Sequence, residues 1–102
     1  MKCYSVLVGS NNSRGKFARR DEKLLESITA RYFPAGFTIL GATTGRWYDP
    51  GAKLFRKEEA REILLCTGKP KTVRKWCHEL GRALHQKELI LAETGRATRI
   101  RR

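Results

Sequence analysis

The stretch FTILGATTGRWYDPGAKLFRKEEAREILLC, residues 37–66, decides how this chain folds. Residues 37–48 are rich in β-branched and aromatic side chains and read as a long strand. Gly41 and Gly45 punctuate that strand and permit a bulge or a bend. Asp49-Pro50-Gly51 then reads as a turn, because proline presets one backbone angle and glycine accepts the awkward one. Residues 58–66 form the returning strand, with Ile63, Leu64 and Leu65 at its heart. The pattern predicts a hairpin closed over the loop 49–57.

Outward from the hairpin, the elements alternate. Residues 3–8 are a β-rich run bounded by Gly9, and a polar loop GSNNSRGK follows over 9–16. Residues 21–33 predict a helix with Leu24, Leu25, Ile28 and Tyr32 on one face, and Asp21 and Glu22 suit its positive end. Pro34 and Gly36 stop it. Downstream, Pro70 suits a helix start, and Val73, Trp76, Cys77, Leu80 and Leu84 keep an apolar stripe through a helix ending near Gln86. Residues 88–93, ELILAE, are the last core strand, and the tail from Gly95 carries a further short strand at most.

The order βαββαβ is that of a ferredoxin-like α+β sandwich: an antiparallel sheet with two helices on one face. Strands such as YSVLV and ILLC are apolar on both faces, which a half-solvated sheet would not be. The helix-free face therefore predicts oligomerisation through the sheet, on the side carrying either Tyr4, Val6 and Val8 or Cys3, Ser5 and Leu7. The 102 residues allow one domain, with a basic tail from about 96 to 102.

The chain holds 22 Lys+Arg against 10 Asp+Glu, a net charge of +12, which raises a basic nucleic-acid-binding module without enzymatic activity as the alternative reading. The basic stretches, however, lack interleaved aromatics for base stacking. No run approaches the ~20 apolar residues of a membrane span, and the N-terminus lacks a signal peptide's apolar core, so a cytoplasmic location is expected. Cys3, Cys66 and Cys77 are distant in sequence and each lies in an apolar pattern, which predicts core thiols; no Cys-x-x-Cys pair supports zinc. Gly9 to Lys16 falls one residue out of register for a phosphate-binding loop, and Phe17 stands where Ser or Thr would hold magnesium. A surface loop is the default there and a lid the alternative. His78 and His85 fall off the apolar stripe and are expected in solvent, while Trp76 belongs to the core.

In so basic a chain, the adjacent carboxylates Glu58 and Glu59, following the aromatic pair Trp47 and Tyr48 across a Pro-Gly loop, mark a candidate site for a small cation. Strand alternation puts Glu58 and Glu59 on opposite sides of the sheet.

Residues 44–93 resemble the S-adenosylmethionine (SAM) lyases of bacteriophages, formerly called SAM hydrolases. The likeness lies in TGRWY, the loop, EE leading into an apolar strand ending at Cys66, the amphipathic helix, and QKELILA. FPAGFTI followed by GRW also resembles small bacterial proteins of dimeric ferredoxin-like type. The lyase resemblance implies cleavage of SAM to 5'-methylthioadenosine and homoserine lactone by attack of the substrate's own carboxylate, with no cofactor or metal. It implies a homotrimer with sites between subunits, acting in the cytoplasm of an infected bacterial host in an anti-restriction role. Tyr48 and Glu59 match the family's catalytic positions; Glu58, Gln86, Glu88 and Trp47 are the accompanying substrate-binding candidates. On this reading Tyr48 and Glu59 reach one pocket from neighbouring strands, and Glu58 is a solvated neighbour.

Overall fold

A computed structural model describes residues 1–10, 15–86, 89–98 and 100, apart from the side chain of Ala42. The elements are β1 (Lys2–Gly9), α1 (Arg19–Tyr32), β2 (Thr38–Asp49), β3 (Leu54–Thr67), α2 (Pro70–Ala83) and β4 (Ile90–Arg96). The four strands form one antiparallel sheet in the order β2-β3-β1-β4, with both helices on one face: the ferredoxin-like sandwich.

Period-two alternation along β1 settles which face is covered. Tyr4, Val6 and Val8 are buried and pack into the core with Ile63 and Leu65 of β3. Leu25 and Ile28 of α1 and Val73, Trp76 and Leu80 of α2 close that core from above. Trp76 lies at its centre, fully buried, edge-on to Phe33 at 5.2 Å. Its Nε1–H donates to Thr29 Oγ1 at 3.2 Å, so the one polar group of the indole is satisfied. Cys3, Ser5 and Leu7 therefore belong to the helix-free face, with Leu64, Glu62 and Ala60 of β3 beside them.

The two central cysteines depart from the expectation of core thiols. Register places Cys3 directly opposite Cys66 on the open face, and the two form a disulfide. Cys66 is exposed. Cys77 remains a thiol, and burial pushes its pKa up to about 11 against a lowering by Arg74, so it stays protonated near neutrality.

The hairpin is longer than its sequence pattern. β3 begins at Leu54, so the connection shrinks to four residues, 50–53, with Lys53 in the left-handed region at φ +54°. Beyond the point where β1 ends opposite Ala60, β2 and β3 pair only with each other and project as a two-stranded arm. Asp49 stitches its tip, accepting from the backbone N–H of Gly51 and from Arg56 Nε at 2.7 Å. The Arg56 hydrogen bond holds the Asp49 carboxyl below its usual range. At the other end, α2 stops at Ala83, short of Gln86. Residues 99, 101 and 102 of the expected basic tail lie outside the described residues.

Candidate active site on the open sheet face

A bulge fixes what the arm presents. Thr38, Ile39 and Leu40 pair with Leu64, Ile63 and Glu62, but the register shifts by one between Leu40 and Thr43. The extra residue reverses the parity of β2. Thr38 and Leu40 face away from the helices before the bulge; Thr43, Gly45 and Trp47 do so after it. Trp47, not Tyr48, thus joins the open face.

That face holds a cleft of about 720 Å³ at the root of the arm. Leu7, Ala60 and Ile90 give it an apolar floor, Trp47, Thr43 and Thr44 wall it on β2, and Glu58, Gln86 and Arg46 supply its charged and amide groups. Glu58 lies opposite Gly45 and beside Gly9. A Cβ on Gly9 would overlap the Glu58 carboxylate, so the absence of a side chain there is what seats the acid. Ser10 Oγ donates to Glu58 Oε2 at 3.2 Å. Gln86 spans from the end of α2 and donates its Nε2–H to the Gly9 carbonyl at 3.0 Å, bracing the same segment from below.

Glu59 occupies the other side of β3, as alternation requires. Its carboxylate accepts from the backbone N–H of Phe17 at 2.6 Å. Its backbone is clamped too: Ser10 N–H donates to Glu59 O at 3.0 Å, and Glu59 N–H donates to Gly15 O at 2.6 Å. Glu59 therefore ties down both ends of the loop between β1 and α1. Gly15 runs so close to β3 that a Cβ would sit 3.0 Å from Lys57 O, and its φ of +69° suits glycine. Arg61, also on the helix side, seals this corner with its guanidinium 4.8 Å over the Phe17 ring and Nε donating to Glu22 Oε1 at 3.2 Å.

The candidates named from sequence therefore fall into two groups. Trp47, Glu58 and Gln86 line one cleft, and Glu58 is part of its wall rather than a solvated neighbour. Tyr48 and Glu59 share the opposite side of the ribbon but not one pocket within the chain. Tyr48 pairs with Phe55, whose ring is 5.4 Å away, whereas Glu59 pairs with Thr44, four residues or roughly 13 Å along the strand. Glu88 lies outside the described residues. Sequence reasoning missed Gly9 as the seat of Glu58, and missed Leu7 and Ile90 as the floor. Placing those three requires the pairing of β1 with β3 and β4.

A second carboxylate lies on the same face: Glu62 accepts from Ser5 Oγ at 2.5 Å, between Leu7 and Leu40 in register. Among the described residues no three His, Cys, Asp or Glu side chains gather as metal ligands.

No protein-family model matches the chain, and no curated protein matches its sequence. Solved structures share its fold, among them the following two. One is a phage SAM lyase in complex with S-methyl-5'-thioadenosine, with a TM-score of 0.65 and 15% identity over 92% of this chain and 81% of that one. The other is the divalent ion tolerance protein CutA1 from Ehrlichia chaffeensis, with a TM-score of 0.60 and 14% identity over 96% and 87%. At such identities the likeness is one of fold.

Proposed function

We propose that this protein cleaves SAM to 5'-methylthioadenosine and homoserine lactone in the open-face cleft. The observation that carries the reading is Glu58: a carboxylate seated between glycines, in a largely apolar cleft walled by a tryptophan, on a chain of net charge +12. A cationic ligand with a flat aromatic group suits such a cleft, and SAM joins an ammonium and a sulfonium to an adenine. The shared fold with a SAM lyase is consistent with it.

The chemistry asks little of the protein. The substrate carboxylate oxygen bonds to the γ-carbon, the carbon–sulfur bond breaks, and its electron pair leaves on sulfur as a neutral thioether. Opposite charges disappear in the step, so an apolar floor of Leu7, Ala60 and Ile90, once covered by bound substrate, favours it. Orientation supplies the rest, since carboxylate and γ-carbon belong to one molecule. Glu58 is assigned to the α-ammonium, which keeps its charge throughout, and this leaves the substrate carboxylate free to attack. Trp47 is assigned to the adenine or the sulfonium. The decisive measurement is incubation of the purified chain with SAM and EDTA, with products separated by chromatography. Methylthioadenosine with homoserine lactone appearing before homoserine is expected, and methylthioadenosine no faster than spontaneous decay would end the reading.

The open face also supports assembly. Leu7, Leu40, Trp47 and Ile90 lie on it at 40–63% exposure, and Tyr48 and Phe55 stand at 51% and 69% on the far side of the arm. Association through this face would cover the first four and let an arm reach a neighbouring copy, which is the route by which Tyr48 could meet substrate. Light scattering is expected to give a homotrimer, near three times the 11.7 kDa chain mass; a monomer at micromolar concentration would contradict a site shared between subunits.

A further inference from the structure

Helix α2 carries its charge in a pattern that helix stability does not ask for. Past Pro70 its exposed residues are Lys71, Arg74, Lys75, His78 and Arg82, none of them apolar or acidic. At 100° per residue these five fall within an arc of about 100°, and the run from Lys71 to Arg82 is roughly 16 Å long. Its first turn holds no acidic residue, and Lys69 stands at the N-cap, so cations crowd the end where the helix dipole disfavours them. Like charges at i, i+3 and i, i+4 repel along the same line. The one acid of the helix, Glu79, is turned toward α1, where it pairs with Arg31. Among the described residues no carboxylate lies within ion-pair distance of Lys71, Arg74, Lys75 or Arg82. Helix α1 differs: Arg19, Arg20, Lys23 and Arg31 are interspersed with Asp21, Glu22 and Glu26.

We infer that the outer ridge of α2 binds the phosphate backbone of duplex nucleic acid, independently of sequence. A rigid line of uncompensated cations matches a polyanion of regular charge spacing, and binding would relieve both repulsions while releasing counterions from the duplex. The ridge has no exposed aromatic side chain on which an unpaired base could stack, which sets single strands aside. It has no exposed apolar side chain to enter a lipid surface either, because the apolar stripe of α2 is spent on the core. The ridge lies across the sheet from the cleft, so assembly through the open face leaves it accessible, and each added copy adds a ridge. This activity goes beyond SAM cleavage, and neither reading depends on the other.

The test is fluorescence anisotropy of the full chain with a labelled 20-bp duplex of arbitrary sequence, repeated from 50 to 300 mM salt. Affinity is expected to fall steeply with salt and to be indifferent to sequence. Lys71→Gln, Lys75→Gln and Arg82→Gln together are expected to weaken binding at least tenfold at 100 mM salt, and to flatten the log–log salt slope by about 0.9 for each phosphate no longer neutralised. The matched control is Arg19→Gln, Arg20→Gln and Lys23→Gln on α1, which removes the same charge and is expected to do much less. Equal weakening in the two variants would overturn the ridge as the site. So would absence of salt-dependent binding by the unaltered chain, or retention on phosphatidylserine vesicles at salt that abolishes duplex binding.

Discussion

Glu58→Gln is expected to lower kcat/KM for SAM by roughly 10- to 100-fold, mostly through KM. The amide keeps the shape of the side chain and its contact with Ser10 but removes the charge that holds the ammonium. A hydrogen bond to a charged group contributes about 1.5–3 kcal/mol, and each ~1.4 kcal/mol is a factor of ten. Because the ammonium is as cationic in the product as in the substrate, the loss is one of uniform binding. Gly9→Ala is expected to do similar damage without touching the acid, since a methyl there displaces the carboxylate, whereas Gly45→Ala meets only ordinary contacts at 3.7 Å or more and is expected to be mild. Glu59→Gln retains an acceptor for Phe17 N–H and is expected to keep most of the activity. The opposite result, an inert Glu59→Gln beside an active Glu58→Gln, would move the substrate to the side of the arm that carries Tyr48. It would restore the assignment made from the family resemblance.

The largest stability effect is expected at Trp76. Truncation to alanine removes a wholly buried indole, its edge-on packing against Phe33 and its hydrogen bond to Thr29. Trp or Phe to Ala changes in a core cost about 3–5 kcal/mol, a large share of the ~5–15 kcal/mol that holds a typical domain folded. Trp76→Phe keeps most of the packing and is expected to cost clearly less, because Thr29 still donates to the Leu25 carbonyl. Urea denaturation followed by circular dichroism measures both. A change below about 1 kcal/mol for Trp76→Ala would mean that the centre of the core lies elsewhere.

Much of this architecture is legible from periodicity alone, and the reasons differ by element. The stripes through Leu25 and Ile28, and through Val73, Trp76 and Leu80, mark both helices because one face of each is buried. The alternation of Tyr4, Val6 and Val8 identifies β1 as a strand but not which side the helices cover. Residues 54–57, Leu-Phe-Arg-Lys, do not announce a strand, since the arm beyond the sheet is wet on both sides and leaves no burial pattern to read. Which residues of β2 face the cleft turns on one residue. The bulge between Leu40 and Thr43 exchanges Trp47 for Tyr48 at the cleft, and a glycine pattern that permits a bulge does not say where it falls. The Cys3–Cys66 pair escaped for a related reason: two residues 63 positions apart become neighbours only through strand register.

The order of the strands has a consequence for biosynthesis. β1, made before the other elements, sits inside the sheet, where its neighbours are β3 and β4. Lys2 pairs with Thr67 on one side and with Arg96 on the other, and the Met1 carbonyl accepts from the Ala97 N–H. The emerging strand must therefore wait, one edge until Thr67 and the other until Arg96 has been made. At about 5–20 residues per second the longer of these delays lasts some 5–20 s. During it the apolar run from Tyr4 to Val8 is open to pairing with other nascent chains or to capture by a chaperone. The β2–β3 hairpin, whose partners are close in sequence, is able to form first, and β1 to join it before β4 is made.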